Sequence, residues 1–213
     1  MRFTTGVLLS AFALAACQGG DVEEADGEVA PVNSQEDGVS EPKAAEAEAP
    51  EPSPTPSSDA RFTSAYTDVV LDDCTMIQSE EEGEWSLFKC PGYEGIPYWL
   101  AEGDLRTDVD AGVQNEKFQT IGAFNDIGAR IEWRMDKGKP FAIIFRYRDT
   151  SMEGNGRSVL AIEKIGNEGD PGCRVAQIAG STPNANVLAR EIADSKTATF
   201  DCANDPEYIG SAR

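Results

Sequence analysis

The chain contains no histidine. That absence removes the commonest general base, the commonest zinc ligand, and the Ser-His and Cys-His nucleophile arrangements. Basic residues are also scarce: 18 Lys and Arg stand against 38 Asp and Glu, a formal net charge of −20 at pH 7. Such a balance argues against nucleic acid as a partner and against attraction to anionic lipid. It suits a soluble domain and a basic partner. No cysteine pair has C-x-x-C spacing, which speaks against a thioredoxin-like redox motif and a four-thiolate zinc site. No apolar run reaches the roughly 18 residues of a membrane-spanning helix. No cofactor or metal is implied.

What is there begins at the amino terminus. Arg2 precedes an apolar stretch from Val7 to Ala16 (VLLSAFALAA), about the length of a signal-peptide hydrophobic region. Leu14-Ala15-Ala16-Cys17 closes it and resembles the lipobox of bacterial lipoproteins. The resemblance implies cleavage before Cys17, a diacylglycerol on its sulfur and acylation of the new amine. One acyl chain binds a membrane weakly, whereas two or more make attachment persistent. In that family's sorting rules Gln18, rather than aspartate, leans toward the outer membrane. Residues 1–16 are thus expected to be a lipoprotein signal peptide, and the mature protein to be anchored in the bacterial cell envelope, facing the periplasm or the surface.

From residue 17 to 60 the chain is mostly Glu, Asp, Ala, Pro, Ser and Gly, with no aromatic residue. Such a composition cannot bury enough apolar area to offset ordering entropy, so a disordered acidic tether is expected. As a flexible coil it would reach ~35–40 Å.

Residues 61–213 are long enough for one well-formed core. Cys74, Cys90, Cys173 and Cys202 form an even set, which in an oxidising compartment reads as two disulfides. Three pairings are possible. Cys74–Cys90 and Cys173–Cys202 are favoured because each pair flanks one local unit. Short apolar runs with period-two alternation, separated by Gly-, Asp- or Pro-containing breaks, predict hairpins: 74–77 with 85–90, 96–101 with 105–109, and 129–135 with 141–148. Segments 158–165 and 173–179 add two strands. Thr182-Pro183 predicts a helix start, with Val187, Leu188 and Ile192 at helical spacing. A short helix is expected within 115–124. The fold class is α+β, a largely antiparallel sheet of hairpins with one C-terminal helix and two disulfides.

The stretches AEGDLR (101–106) and FNDIGARIEWR (124–134) resemble a group of small exported proteobacterial proteins. That resemblance transfers no catalytic residue.

Strand phase supplies the candidate site. In 129–135, Ile131, Trp133 and Met135 share one face, and Arg130, Glu132 and Arg134 the other. In 141–148, Phe141, Ile143, Phe145 and Tyr147 share a face opposite Ala142, Ile144, Arg146 and Arg148. Pairing Trp133 with Ile143 makes the apolar faces coincide, which is what fixes register. It also gathers Arg130, Arg134, Arg146 and Arg148 on one exposed face. Arginine's planar fork binds carboxylates and phosphates, so one reading is an anion site. The other is a solvated face neutralised by Glu132, Glu163 or Asp149.

Trp85, Phe88, Tyr93, Tyr98 and Trp99 are expected to pack around the first disulfide, the alternative being a binding platform. Asp104, Asp108 and Asp110 lack the order of a calcium loop. The first functional expectation is a non-enzymatic lipoprotein domain that binds a partner or an anionic envelope component. The alternatives are a small carboxylate-dependent envelope hydrolase, and an inhibitor of a basic lysozyme-like enzyme.

Overall fold

The computed structural model describes residues 61–80, 85–152, 154 and 156–213. The Leu14–Cys17 motif, the tether 17–60 and the acidic hairpin tip 81–84 lie outside the described residues.

The described residues form two largely antiparallel sheets and one α-helix, in the order β1 (Phe62–Asp68), β2 (Thr75–Ser79), β3 (Trp85–Tyr93), β4 (Ile96–Gly103), β5 (Arg106–Ala111), β6 (Asn125–Ile127), β7 (Arg130–Asp136), β8 (Lys139–Asp149), β9 (Ser158–Lys164), β10 (Cys173–Ala179), α1 (Ala185–Lys196) and β11 (Glu207–Ile209). The smaller sheet runs β2-β3-β4-β5. The larger runs β1-β7-β8-β9-β10-β11, with β6 also on β8. Among the described residues only β10 and β11 pair in parallel, and α1 lies in the connection between them. A parallel pair needs such a crossover.

The predicted register is present: Trp133 pairs with Ile143. Three tight hairpins organise the sheets. Tyr93 pairs with Ile96, Gly103 with Arg106, and Asp136 with Lys139, leaving two residues in each turn. The turn pairs Glu94-Gly95, Asp104-Leu105 and Lys137-Gly138 all have positive φ, the type I′ geometry that matches strand twist. The middle turn differs from the sequence expectation. Gly103 lies in β4, and Leu105 occupies a left-handed turn position instead of starting β5.

Two apolar layers result. Trp133, Ile143, Phe145, Tyr147 and Val159 of the larger sheet pack with Tyr98, Leu100 and Val109 of the smaller one. On the opposite face, Ala142, Ile144, Leu160, Ile162, Ala176 and Ile178 pack against Ala185, Ala189, Ile192 and Ala193 of α1. β8 is therefore covered on both sides, which is why its run FAIIF has no polar alternation.

Both expected disulfides are formed, Cys74–Cys90 and Cys173–Cys202. The first ties the approach to β2 onto β3. The second closes a loop containing α1. Of the aromatic set, Tyr98 is buried in the core, while Trp85, Phe88, Tyr93 and Trp99 are half-buried.

Three local expectations change. The helix begins at Ala185, not at Thr182-Pro183, because Asn184 adopts a left-handed conformation at its entry. Its buried stripe is alanine-rich, and Val187 faces out. Segment 115–124 is irregular rather than helical, held by side-chain bonds such as Asn115 to Asp110 and Asn125 to Thr120. β1, β6 and β11 were not apparent as strands in the sequence. No helix among the described residues is long and apolar enough to cross a membrane.

Candidate functional site

The arginine-bearing face of β7 and β8 is the face that receives α1. Alternation places Arg130, Glu132 and Arg134 on one side of β7, and a spacing of four aligns Asn186, Arg190 and Asp194 along one stripe of the helix. The helix stripe meets Arg146 on β8 and Glu132 and Arg134 on β7. Arg146 Nη2 donates to Asn186 Oδ1 at 3.0 Å. Arg190 donates from Nε and Nη2 to the two oxygens of Glu132, at 2.7 and 3.0 Å. Arg134 donates from Nε and Nη2 to the two oxygens of Asp194, at 3.0 and 2.5 Å. Ser64 on β1 joins Glu132 and Arg134, accepting from Arg134 Nη1 and donating to Glu132, both at 2.5 Å.

The four predicted arginines consequently part company. Arg134 is buried, its side chain 7% exposed, and belongs to the joint between sheet and helix. It does not stand on an open face: Ala142 and Ile144 on β8 make that face apolar at the same level, so the helix covers it. Arg148 lies apart and donates to both oxygens of Asp126 on β6. Arg130 and Arg146 do come together, on the walls of a cleft of about 230 Å³ at the open end of the helix–sheet seam. Arg190 joins them from α1, with Tyr66 and Asn186 beside it.

The three cleft arginines come from β7, β8 and α1. Arg130 donates Nε to Asp68 and sets its guanidinium 6.0 Å from the Tyr66 ring centre. Arg146 donates Nη1 to Ser158 Oγ at 2.8 Å. The Glu132 carboxylate, hydrogen-bonded to Arg190, raises that guanidinium's pKa further. Among the described residues, Nη1 and Nη2 of Arg130 and Nη1 of Arg190 make no hydrogen bond to protein, so the cleft holds unused donors. Arg190 was missed in the sequence; the spacing of four between Asn186, Arg190 and Asp194 was the available signal.

Comparison with protein-family models, curated proteins and solved structures returns no match. The functional reading therefore rests on the chemistry of the chain's own residues.

A second polar cluster lies inside the sandwich. Arg174 on β10 is fully buried and donates Nε to Glu163 at 2.7 Å. Its Nη2 reaches the Gln119 carbonyl and Tyr147 Oη, both at 3.0 Å, and approaches Asp108 at 3.5 Å. With the Gln177 amide oriented to satisfy both neighbours, its oxygen accepts from Arg174 Nη1 and its nitrogen donates to the Ala212 carbonyl. Asp110 accepts from the backbone and side chain of Asn115. Burial pushes the Asp108 carboxyl up to about 6, although Arg174 opposes it. Burial and the neighbouring Asp108 push Asp110 up to about 8. Burial raises Glu163 as well, again against Arg174. The cluster pairs one buried guanidinium with the carboxyl groups of Glu163 and Asp108.

Proposed function

We propose that this chain is a lipid-anchored envelope protein whose domain is a non-enzymatic binding module, and that the cleft of Arg130, Arg146 and Arg190 receives an anionic group of an envelope component. The convergence of three arginines from three elements on one cleft carries the reading. It stands out because residues 61–213 hold 26 acids and 16 bases. Planar guanidinium groups held by Ser158, Asn186 and Glu132 suit bidentate contacts to phosphate or carboxylate oxygens. The signal-like amino terminus, the lipobox-like Cys17 and the acidic tether favour an envelope location. The hydrolase alternative has less support, since the closest acidic cluster, Asp108, Asp110 and Glu163, is sealed around Arg174.

Titration of inorganic phosphate and of a phosphorylated sugar into the full chain, followed by amide chemical shifts, tests the cleft. Shifts confined to 130–132, 144–146 and 186–190, with at least tenfold weaker binding in Arg130→Gln/Arg146→Gln and unchanged binding in Arg148→Gln, support the proposal. Equal binding by the double variant overturns it. For the anchor, Cys17→Ala is expected to abolish incorporation of labelled fatty acid; retained label overturns that part.

A further inference from the structure

The open edge of the smaller sheet has chemistry of its own. β2 reads Thr-Met-Ile-Gln-Ser and contains no proline and no charged side chain. All five residues are exposed. The strand bonds to β3 on one side, and among the described residues nothing pairs with its other side. β5, the opposite edge of the same sheet, is instead buried from Thr107 to Ala111. Met76 and Ile77 are 56% and 50% exposed, and the preceding Val70 and Leu71 are 44% and 56% exposed. Ile77 has no partner on β3, because the register skips it between Met76 and Gln78. An exposed strand with free backbone groups and apolar side chains is a template for another strand, and proteins commonly blunt such edges with lysine, proline or cover. The bulge at Ile77 is the one such device present among the residues of β2. The Cys74–Cys90 bridge holds the strand's approach in place, which lowers the ordering cost of binding.

Charge decides the occupant. Asp72 and Asp73 precede β2 and Glu80 follows it, with Glu81, Glu82 and Glu84 next in the sequence. A second copy of this chain would set acids against acids in either strand direction. We infer that β2 is a docking edge for an extended, cationic segment of a partner protein, which adds to the smaller sheet as a fifth strand. Main-chain hydrogen bonds supply the attachment, and Met76 and Ile77 supply apolar contacts. The acids at both ends select lysine or arginine on the incoming strand. This inference is independent of the arginine cleft, which would repel the same ligand.

The test uses the full chain and three capped peptides: Lys-Val-Lys-Val-Lys-Val, its counterpart with glutamate in place of lysine, and the lysine peptide N-methylated at alternate residues. The lysine peptide should bind, with amide shifts centred on 74–80 and affinity falling steeply with salt. The glutamate and N-methylated peptides should bind at least tenfold more weakly, and Ile77→Lys should weaken the parent peptide by a similar factor. The N-methylated peptide leaves the protein unaltered, so its result does not depend on a variant folding. Equal binding of the methylated peptide, no binding of the lysine peptide, or shifts lying elsewhere overturns the inference. So does a dimer in sedimentation that Ile77→Lys dissolves, since the edge would then serve a second copy.

Discussion

Arg134 on β7 and Asp194 on α1 form a two-pronged ion pair, Nε to Oδ1 at 3.0 Å and Nη2 to Oδ2 at 2.5 Å, with side chains only 7% and 21% exposed. The pair fixes where the helix sits on the sheet. It also separates the structural arginine of this face from the exposed ones. Removing one member of a buried pair leaves the other uncompensated, at a cost of roughly 3–5 kcal/mol. Arg130, by contrast, meets Asp68 at the surface, where a pair contributes about 0–1 kcal/mol. Arg134→Gln should therefore lower the urea midpoint clearly, while Arg130→Gln leaves it nearly unchanged. Equal midpoints would show that the helix is held by its apolar stripe alone.

Inside the sandwich, Arg174 compensates Glu163 and Asp108. Arg174→Met should cost roughly 3–5 kcal/mol near neutral pH by the same reasoning. The loss should shrink at pH 5, where the orphaned carboxyl groups can take up protons. Adding Glu163→Gln to Arg174→Met should recover part of the stability. Denaturant titrations of the two variants at both pH values check this.

Folding stability should fall as pH rises. Asp108 and Asp110 have carboxyl groups raised to about 6 and about 8 in the folded domain, above the ordinary value of 3.8. The folded state thus binds these protons more tightly than the unfolded chain. Their contribution is fully present below the unfolded value and is lost as pH climbs through 6 and on to 8. Asp136, Asp149 and Asp170 are lowered by hydrogen bonds from Arg61, Ser151 and Lys164 respectively, so they titrate below this window. Melting temperatures at pH 4.5, 6, 7.5 and 9 should decline in that order, and Asp110→Asn should flatten the upper half. A curve rising from 6 to 8 would contradict the assignment.

Leu105 holds φ at 57° beside Asp104 at 51°, and its side chain is 73% exposed. A leucine in the left-handed region costs about 1–2 kcal/mol and here gains little burial. Leu105→Gly converts the turn to Asp-Gly, the favoured type I′ pair. It should stabilise the domain by about 0.5–1 kcal/mol. A lower melting temperature would mean that Leu105 packs against a surface important for folding.

Much of this architecture was legible because local rules and global packing agree. Period-two alternation located three hairpins and two further strands, and matching apolar faces put Trp133 opposite Ile143. Pairing the cysteines that flank one local unit gave the disulfides that form. The helix entry was misplaced because Thr182-Pro183 satisfied a local start signal, whereas the chain turns through Asn184 before Ala185. A short helix was expected within 115–124, but the side chains of Asn115 and Asn125 bond to their surroundings and the segment is irregular.

The candidate site shows where local pattern ends. Alternation alone determined that Arg130, Arg134, Arg146 and Arg148 point the same way, and composition alone determined that they do so on a strongly acidic chain. It left open what stands above them, because a strand's pattern describes faces and not their coverings. Tertiary structure decided that α1 lies across part of that face, buries Arg134, contributes Arg190 and leaves Arg130 and Arg146 at a cleft. It likewise brought Asp108 on β5 to Glu163 and Arg174 on the neighbouring strands β9 and β10, more than fifty residues further along the chain. Side-chain direction is a property of neighbouring residues, whereas burial and charge pairing depend on elements that meet only once the chain has folded.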